Sequence, residues 1–166
     1  MIAVMESAVR ASVIGIGATV ILDLWITVGS RLFGISGPDW AMVGRWVGHM
    51  ASGRFVHANI DRASPINGEL ALGWMVHYVT GIVYGLILVT IWGGEWLRQP
   101  TILPPMLLLW MFLVAPYFVM MPGMGEGIAA SRTPHPNLER LKSVVGHSVF
   151  GFGMYLVAIS IRNINA

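Results

Sequence analysis

Three ionisable residues, Asp23, His77 and His147, interrupt long apolar segments of this 166-residue chain. An ionisable side chain within a membrane-spanning segment is rare and marks a functional site by default. At a rise of about 1.5 Å per helical residue, each of the three lies about 10–12 Å in from the charged residue that bounds its segment on one side. We therefore expect the three groups to reach a similar depth on three helices and to form one site.

Two imidazoles and a carboxylate at one depth suit three kinds of site. They could bind a divalent first-row metal, hold a haem through two axial histidines, or relay protons, since histidine titrates near neutral pH. Haem ranks behind the divalent metal because it also requires a wide apolar slot. A hydrogen-bonded cluster that only fixes helix register is a fourth alternative. The sequence predicts the residues but leaves the cofactor unknown.

Further polar residues are expected to line the mouth of this site: Arg45, His49, His57, Glu69, Tyr84, Glu126 and Arg132. With His135, all five histidines of the chain then lie on one half of the membrane. This concentration predicts a site that opens to one face.

The elements that position these residues are predicted from composition and hydropathy. Of the 166 residues, 55% are hydrophobic and only 11% are charged, and the mean hydropathy is +0.70. A soluble chain of this size could not bury so much apolar surface. We predict an all-α polytopic membrane protein forming a single membrane domain over residues 1–166, with spans at about 8–30, 69–92, 103–121 and 141–161.

Several local signals set the ends and bends of these spans. Pro116 predicts a kink in the third span, the pair Gly93–Gly94 is expected to end the second, and Asn137 to begin the fourth helix. Small residues such as Gly15, Gly73, Gly81 and Gly85 form stripes along the first and second spans, where membrane helices can approach closely.

The connection between the first two spans, residues 31–67, is expected to be partly helical. Residues 39–50 could form a short amphipathic helix, with Arg45 and His49 on one face and Trp40, Val43 and Val47 on another. Such a helix could lie in the membrane interface or cap the bundle as an ordinary helical loop. The sequence leaves both alternatives open.

Positive charges predict the orientation in the membrane. Seven basic residues fall on the side of the two long connections: Arg31, Arg45, Arg54, Arg62, Arg132, Arg140 and Lys142. Only Arg10, Arg98 and Arg162 fall on the other side. We therefore expect the long connections in the cytoplasm and both termini outside.

Four stretches of the chain resemble a family of small bacterial four-span integral membrane proteins of unknown function. They are Arg45–Met50, Gly68–Tyr78, Gly123–Pro136 and His147–Tyr155, and the similarity covers nearly the whole chain. The resemblance implies a multi-pass protein of the bacterial inner membrane. It implies no activity and no functional residues.

Three function classes follow from these observations. The leading prediction is a membrane protein that binds or conducts a small cation, proton or cofactor at Asp23, His77 and His147. The second is an accessory or scaffold subunit, packed against a membrane-protein partner or a second copy of itself. The third is a membrane oxidoreductase or lipid-modifying enzyme. The lipid bilayer is an expected partner. No nucleic-acid partner is expected, because the chain has no basic run.

Overall fold

The structure of the chain, a computed structural model, describes residues 2–162, with side chains from residue 4 onward. The described residues are helical and contain no strand. The main helices are α1 (Ile2–Phe33), α2 (Trp40–Met50), α3 (Glu69–Arg98), α4 (Leu103–Phe112), α5 (Met121–Met124) and α6 (Pro136–Ile161). A π-helical segment, Pro116–Met120, precedes α5, and two short 3₁₀ turns lie at Ile60–Arg62 and Ile128–Ala130.

Four segments are long and apolar enough to cross a membrane: Val4–Phe33, Glu69–Arg98, Leu103–Met124 and Pro136–Ile161. The predicted all-α class with four spans is therefore confirmed. The spans are longer than predicted, and in the first, second and fourth the helix continues through charged residues at the ends. In α1, for example, Glu6 and Arg10 stay helical and form an i,i+4 ion pair of 3.0 Å.

The predicted breaks at Pro116 and at the glycine pair are confirmed. The third span bends out of regular α-helix at Pro116, because proline has no N–H to donate to the preceding turn. Gly93 adopts a left-handed φ of 72°, which distorts α3 locally. The prediction that the glycine pair ends the second span is confirmed, because regular helix is interrupted at Gly93 and a second, short helical segment follows it to Arg98.

The described chain folds into two compact units. The first, the span unit, comprises residues 2–37, 78–111 and 146–162. The second, the connection unit, comprises residues 38–77 and 112–145.

Glycines allow the helices of the span unit to pack closely. A Cβ atom added to Gly15 would overlap the backbone of Gly81, and one added to Gly85 would overlap the carbonyl of Ala11. Lipid provides no hydrophobic force between helices, so such close contact supplies the packing energy. The predicted packing role of these glycine stripes is confirmed for Gly15, Gly81 and Gly85.

In the connection unit, α2 packs against the beginning of α3. Asp39 caps α2 by accepting hydrogen bonds from the backbone N–H groups of Ala41 (2.9 Å) and Met42 (3.3 Å). Gly44 has no room for a Cβ beside the carbonyl of Glu69, and Gly73 has none beside that of Trp40. The predicted helix is confirmed, and none of its residues is exposed. This burial fits a packed helix better than one lying free in the interface.

Candidate functional site

His49 and His57 form a close imidazole pair in the connection unit. His49 is on the last turn of α2, and His57 lies eight residues later, after a turn that reverses the chain. His49 Nδ1 lies 2.7 Å from His57 Nε2, and the two rings stack at 5.0 Å between centroids. His57 is only 2% exposed, whereas His49 is half-buried. The pair thus joins a buried ring to one that retains access to solvent.

The backbone carbonyl of Gly123 holds His57 from the side opposite His49. It accepts the backbone N–H of His57 at 2.8 Å and lies 3.4 Å from His57 Nδ1. A neutral imidazole has one N–H donor and one acceptor nitrogen. If Nδ1 of His57 donates to Gly123, its Nε2 must accept, and the hydrogen between the rings then belongs to His49 Nδ1. With this tautomer, a single chain of donors runs from His49 through His57 to Gly123.

Burial decides the charge of the inner ring. Loss of hydration lowers the pKa of His57, and the positive charge of Arg54 and the His49 ring act in the same direction. The carbonyl of Gly123 opposes this by accepting a hydrogen bond, but the net pKa shift is downward. His57 is therefore neutral at neutral pH in the folded protein.

Arg45, one turn before His49 on α2, makes a buried ion pair with Glu69 at the start of α3. Its Nε donates to Glu69 Oε2 at 2.8 Å, and its Nη2 donates to Oε1 at 2.7 Å. The Arg45 residue is 6% exposed. The hydrogen bonds to Glu69 raise the pKa of Arg45, so the guanidinium stays charged. Arg45 and His49 share a face as predicted, but Arg45 is too buried to line an open mouth.

Arg45 also fixes the loop that carries His57. Its Nη1 lies 3.3 Å from the carbonyl oxygens of Ile60, Asp61 and Ala63, around the 3₁₀ turn. Glu69 in turn accepts the backbone N–H of Ile66 at 3.0 Å. The ion pair therefore ties the loop back to α2 and α3 and limits where His57 can lie.

Trp46 positions the carbonyl of Gly123. Its indole packs against Gly123 so closely that a Cβ there would lie 2.6–2.8 Å from the indole ring atoms. Its Nε1 donates to the carbonyl of Phe55 at 2.9 Å, two residues before His57. Trp46 belongs to a hydrophobic core cluster with Ile60, Ala63 and Met124. One side chain thus supports both sides of the His57–Gly123 contact.

The remaining predicted mouth residues divide between the two units. Glu126 is half-buried, and loss of hydration, followed by the charges of Glu139 and Asp61, raises its pKa. Arg132 is exposed, and its backbone N–H donates to the carbonyl of Glu126 at 2.8 Å. Tyr84 lies in the span unit, where its ring meets Phe150 edge-on at 6.0 Å between centroids.

The three residues predicted to form the central site have different surroundings. Asp23 accepts a hydrogen bond of 2.9 Å from the hydroxyl of Tyr78 in the span unit. His77, in the connection unit, is buried, and its ring stacks on Trp40 at 4.0 Å between centroids. His147 lies half-buried on α6 in the span unit.

No metal-binding group is found where one was expected. Among residues 2–162, no three His, Asp or Glu side chains form a group that could hold a metal ion. The divalent-metal and haem alternatives for Asp23, His77 and His147 therefore gain no support. Their grouping into one site stays a prediction.

Sequence reasoning included His49 and His57 but did not pair them with each other. A spacing of eight residues across Gly53 gave a weak signal that the two could meet. No sequence signal indicated the carbonyl of Gly123, and Tyr78 was not recognised as a partner of Asp23. Both contacts join residues that are distant in sequence.

The fold defines a class: helical proteins with four helices long and apolar enough to span a membrane. Within that class, the chain belongs to the family described as "Protein of unknown function (DUF2938)", which matches residues 12–161. No curated protein and no solved structure matches the chain. The resemblance to an uncharacterised family is thus confirmed, while the bacterial inner membrane and the orientation stay predictions.

Proposed function

We propose that the protein is a proton-binding membrane protein whose proton site is the His49–His57 pair. The observation that carries this proposal is the distance of 2.7 Å between His49 Nδ1 and His57 Nε2. Two ring nitrogens this close must share a hydrogen, because two lone pairs or two N–H groups would repel each other. The pair can therefore hold one added proton, but not two, without separating.

The same distance favours a proton over a metal ion. Two imidazole nitrogens bound to one tetrahedral zinc at about 2.0–2.1 Å would lie about 3.4 Å apart. The observed 2.7 Å is shorter, and residues 2–162 offer no group of three His, Asp or Glu ligands. A shared proton fits the geometry as it stands.

An added proton can enter without breaking any hydrogen bond of the pair. It binds Nε2 of the half-buried His49, whose Nδ1–H continues to donate to His57 Nε2. Transfer of the hydrogen on His49 Nδ1 to His57 Nε2, along the 2.7 Å contact, moves the positive charge to His57. His57 Nδ1 then still faces the carbonyl of Gly123. The pair thus works as a one-step relay from a solvent-accessible ring to a buried one.

The positive charge of Arg54 disfavours a positive charge on His57 and therefore opposes this step. Passage to the inner ring costs free energy and would require a further acceptor or a movement of the loop.

In the span unit, we propose Asp23 as an intramembrane proton acceptor. Its carboxylate accepts a hydrogen bond from Tyr78, and both residues lie within membrane-spanning segments. A carboxylate in such a segment is energetically costly, so its presence indicates a function. His77 and His147 stay candidates for the same role, as the sequence predicts.

Nuclear magnetic resonance of protein carrying ¹⁵N-labelled histidine tests the pair directly. We expect a scalar coupling between the ring nitrogens of His49 and His57, transmitted through the N–H···N hydrogen bond. It should vanish in His57→Gln and persist in His135→Gln, a control at an exposed histidine. A missing coupling at every pH between 5 and 8 would overturn the proton site.

Proton flux tests the function. Proteoliposomes loaded with a pH-sensitive dye should show protein-dependent proton movement after a pH jump. The flux should fall at least tenfold in His57→Gln and Asp23→Asn and stay unchanged in His135→Gln. Flux that is equal in all variants, or absent from the unmodified protein, would contradict proton transfer across the membrane.

A further inference from the structure

The turn between α2 and His57 carries two adjacent hydrophobic side chains that are exposed on the surface. Phe55 is 58% exposed and Val56 is 69% exposed, and Arg54 beside them is also exposed. This turn lies outside all four spans. Among the described residues outside the spans, the other exposed large hydrophobic side chains are Ile35, Ile102 and Ile128, and no two of these are adjacent.

Hydrogen bonds hold the backbone of this turn on both sides, so the exposed side chains have a defined position on the surface. The N–H groups of Ser52, Gly53 and Arg54 donate to carbonyls of α2 at 2.9–3.1 Å. Gly53 has a φ of 78°, which a side chain would disfavour. Beyond it, the carbonyl of Phe55 is bonded to Trp46 and the N–H of His57 to Gly123. These anchors on both sides prevent Phe55 and Val56 from folding inward.

We propose that Arg54, Phe55 and Val56 form a membrane-contact turn that inserts into the headgroup region of the bilayer. We assign the lipid bilayer as the partner of this turn, because the chain has four helices that are long and apolar enough to cross it. The connection that carries the turn leaves one candidate span at Phe33 and enters the next at Glu69, so it begins and ends at the membrane boundary.

The chemistry of the three side chains fits a lipid surface. Exposed phenyl and isopropyl groups gain free energy when they leave water for the boundary between headgroups and acyl chains. The guanidinium of Arg54 can stay at headgroup level and pair with phosphate, with a preference for anionic lipid. This contact does not depend on the proposed proton site.

Because the chain contains no cysteine, a single introduced cysteine can carry a nitroxide label at one defined position. We would label Phe55→Cys and Val56→Cys, with Ser64→Cys as the matched control. Ser64 is exposed in the same connection but has no hydrophobic neighbour in sequence other than Ala63. Each variant is placed in nanodiscs, and its melting temperature must match that of the unmodified protein.

The readout is the collision rate of the label with oxygen, which concentrates in lipid, relative to a water-soluble nickel complex. We expect labels at 55 and 56 to favour oxygen at least threefold more than the label at 64. The same ratio at all three positions would overturn the proposal. Low collision rates with both reagents at 55 and 56 would also overturn it, by indicating cover by a protein or a second copy.

Lipid composition tests the role of Arg54. Arg54→Gln combined with Val56→Cys should lower the preference for oxygen in nanodiscs containing phosphatidylglycerol. In nanodiscs of phosphatidylcholine alone, the substitution should have little effect. An equal effect in both lipids would contradict recognition of anionic headgroups.

Discussion

The guanidinium of Arg45 meets the carboxylate of Glu69 through two parallel hydrogen bonds of 2.8 and 2.7 Å. The residues are 24 positions apart, and their pairing closes the loop that holds His57 against His49. A planar guanidinium can make this two-point contact and still reach the three carbonyls of the loop, which an ammonium cannot. The shape of the Arg45 guanidinium, and not its charge alone, therefore holds the loop in place.

Arg45→Lys should destabilise the protein despite keeping the charge. We expect a loss of about 3 kcal/mol, since disruption of a buried ion pair leaves its carboxylate and loop carbonyls short of donors. The matched control is Arg98→Lys, whose ion pair with Glu95 has both side chains 70% exposed. That change should cost well under about 1 kcal/mol. Thermal unfolding in detergent measures both, and equal losses would show that the buried geometry has no special role.

Acid should weaken the fold through His57. Its pKa in the folded protein lies below the unfolded value of about 6.5. The unfolded chain therefore binds more protons as the pH falls below 6.5, and stability that is complete above this pH is lost towards the folded pKa. Melting temperatures measured from pH 8 to 5 should fall more for the unmodified protein than for His57→Gln. His135→Gln should follow the unmodified protein, and a parallel decline in all three would contradict this assignment.

Glu126→Gln should stabilise the protein at neutral pH. Burial raises the pKa of Glu126, so the favourable contribution of its neutral form is present at acid pH and is lost as the pH rises through the folded value. Glutamine cannot ionise and avoids this loss. The melting temperature should rise at pH 7.5 and change less at pH 4. Glu95→Gln, at an exposed site, should show no such gain, and a gain of equal size there would refute the role of burial.

Gly15→Ala should destabilise the span unit. The added methyl would overlap the backbone of Gly81, which cannot move as a flexible side chain could. Overpacking of this kind costs about 1–3 kcal/mol. Gly29→Ala, on the same helix with nothing within 4 Å of the added methyl, should instead gain about 0.5 kcal/mol from improved helix propensity. Melting temperatures that shift in the same direction would disprove close packing at Gly15.

The spans were predictable because each rests on a long run of local hydropathy. The starts of α2 and α6 were predictable within one residue for a similar reason, since capping and proline preferences act over a few neighbouring residues. Gly93 is a further example, since its positive φ interrupts regular helix at the predicted glycine pair. The short helical segment that follows it to Arg98 was not predicted.

The site was harder to predict because its contacts join distant segments. Glu69 and His49 were both predicted at the mouth, yet sequence spacing could not show that Glu69 bonds Arg45 or that His49 meets His57. The acceptor at Gly123 is a backbone oxygen, which every residue possesses. Its selection depends on the path of the chain, which residue types alone do not specify.

The orientation of Gly123 depends on the number of residues in the π-helical segment Pro116–Met120. Met121 donates its backbone N–H to the carbonyl of Pro116, five residues earlier, so the segment contains one residue more than an α-helix would use. The extra residue is taken up within one turn, so deletion of Val119 should restore a regular helix and leave Gly123 on the same face relative to residues 112–115. Insertion of a further residue, which this single turn cannot take up, would instead rotate Gly123 by about 100° relative to residues 112–115. The acceptor of His57 would then turn away while every side chain of the site stayed the same. A change in residue count can thus disconnect this site as effectively as the loss of a histidine.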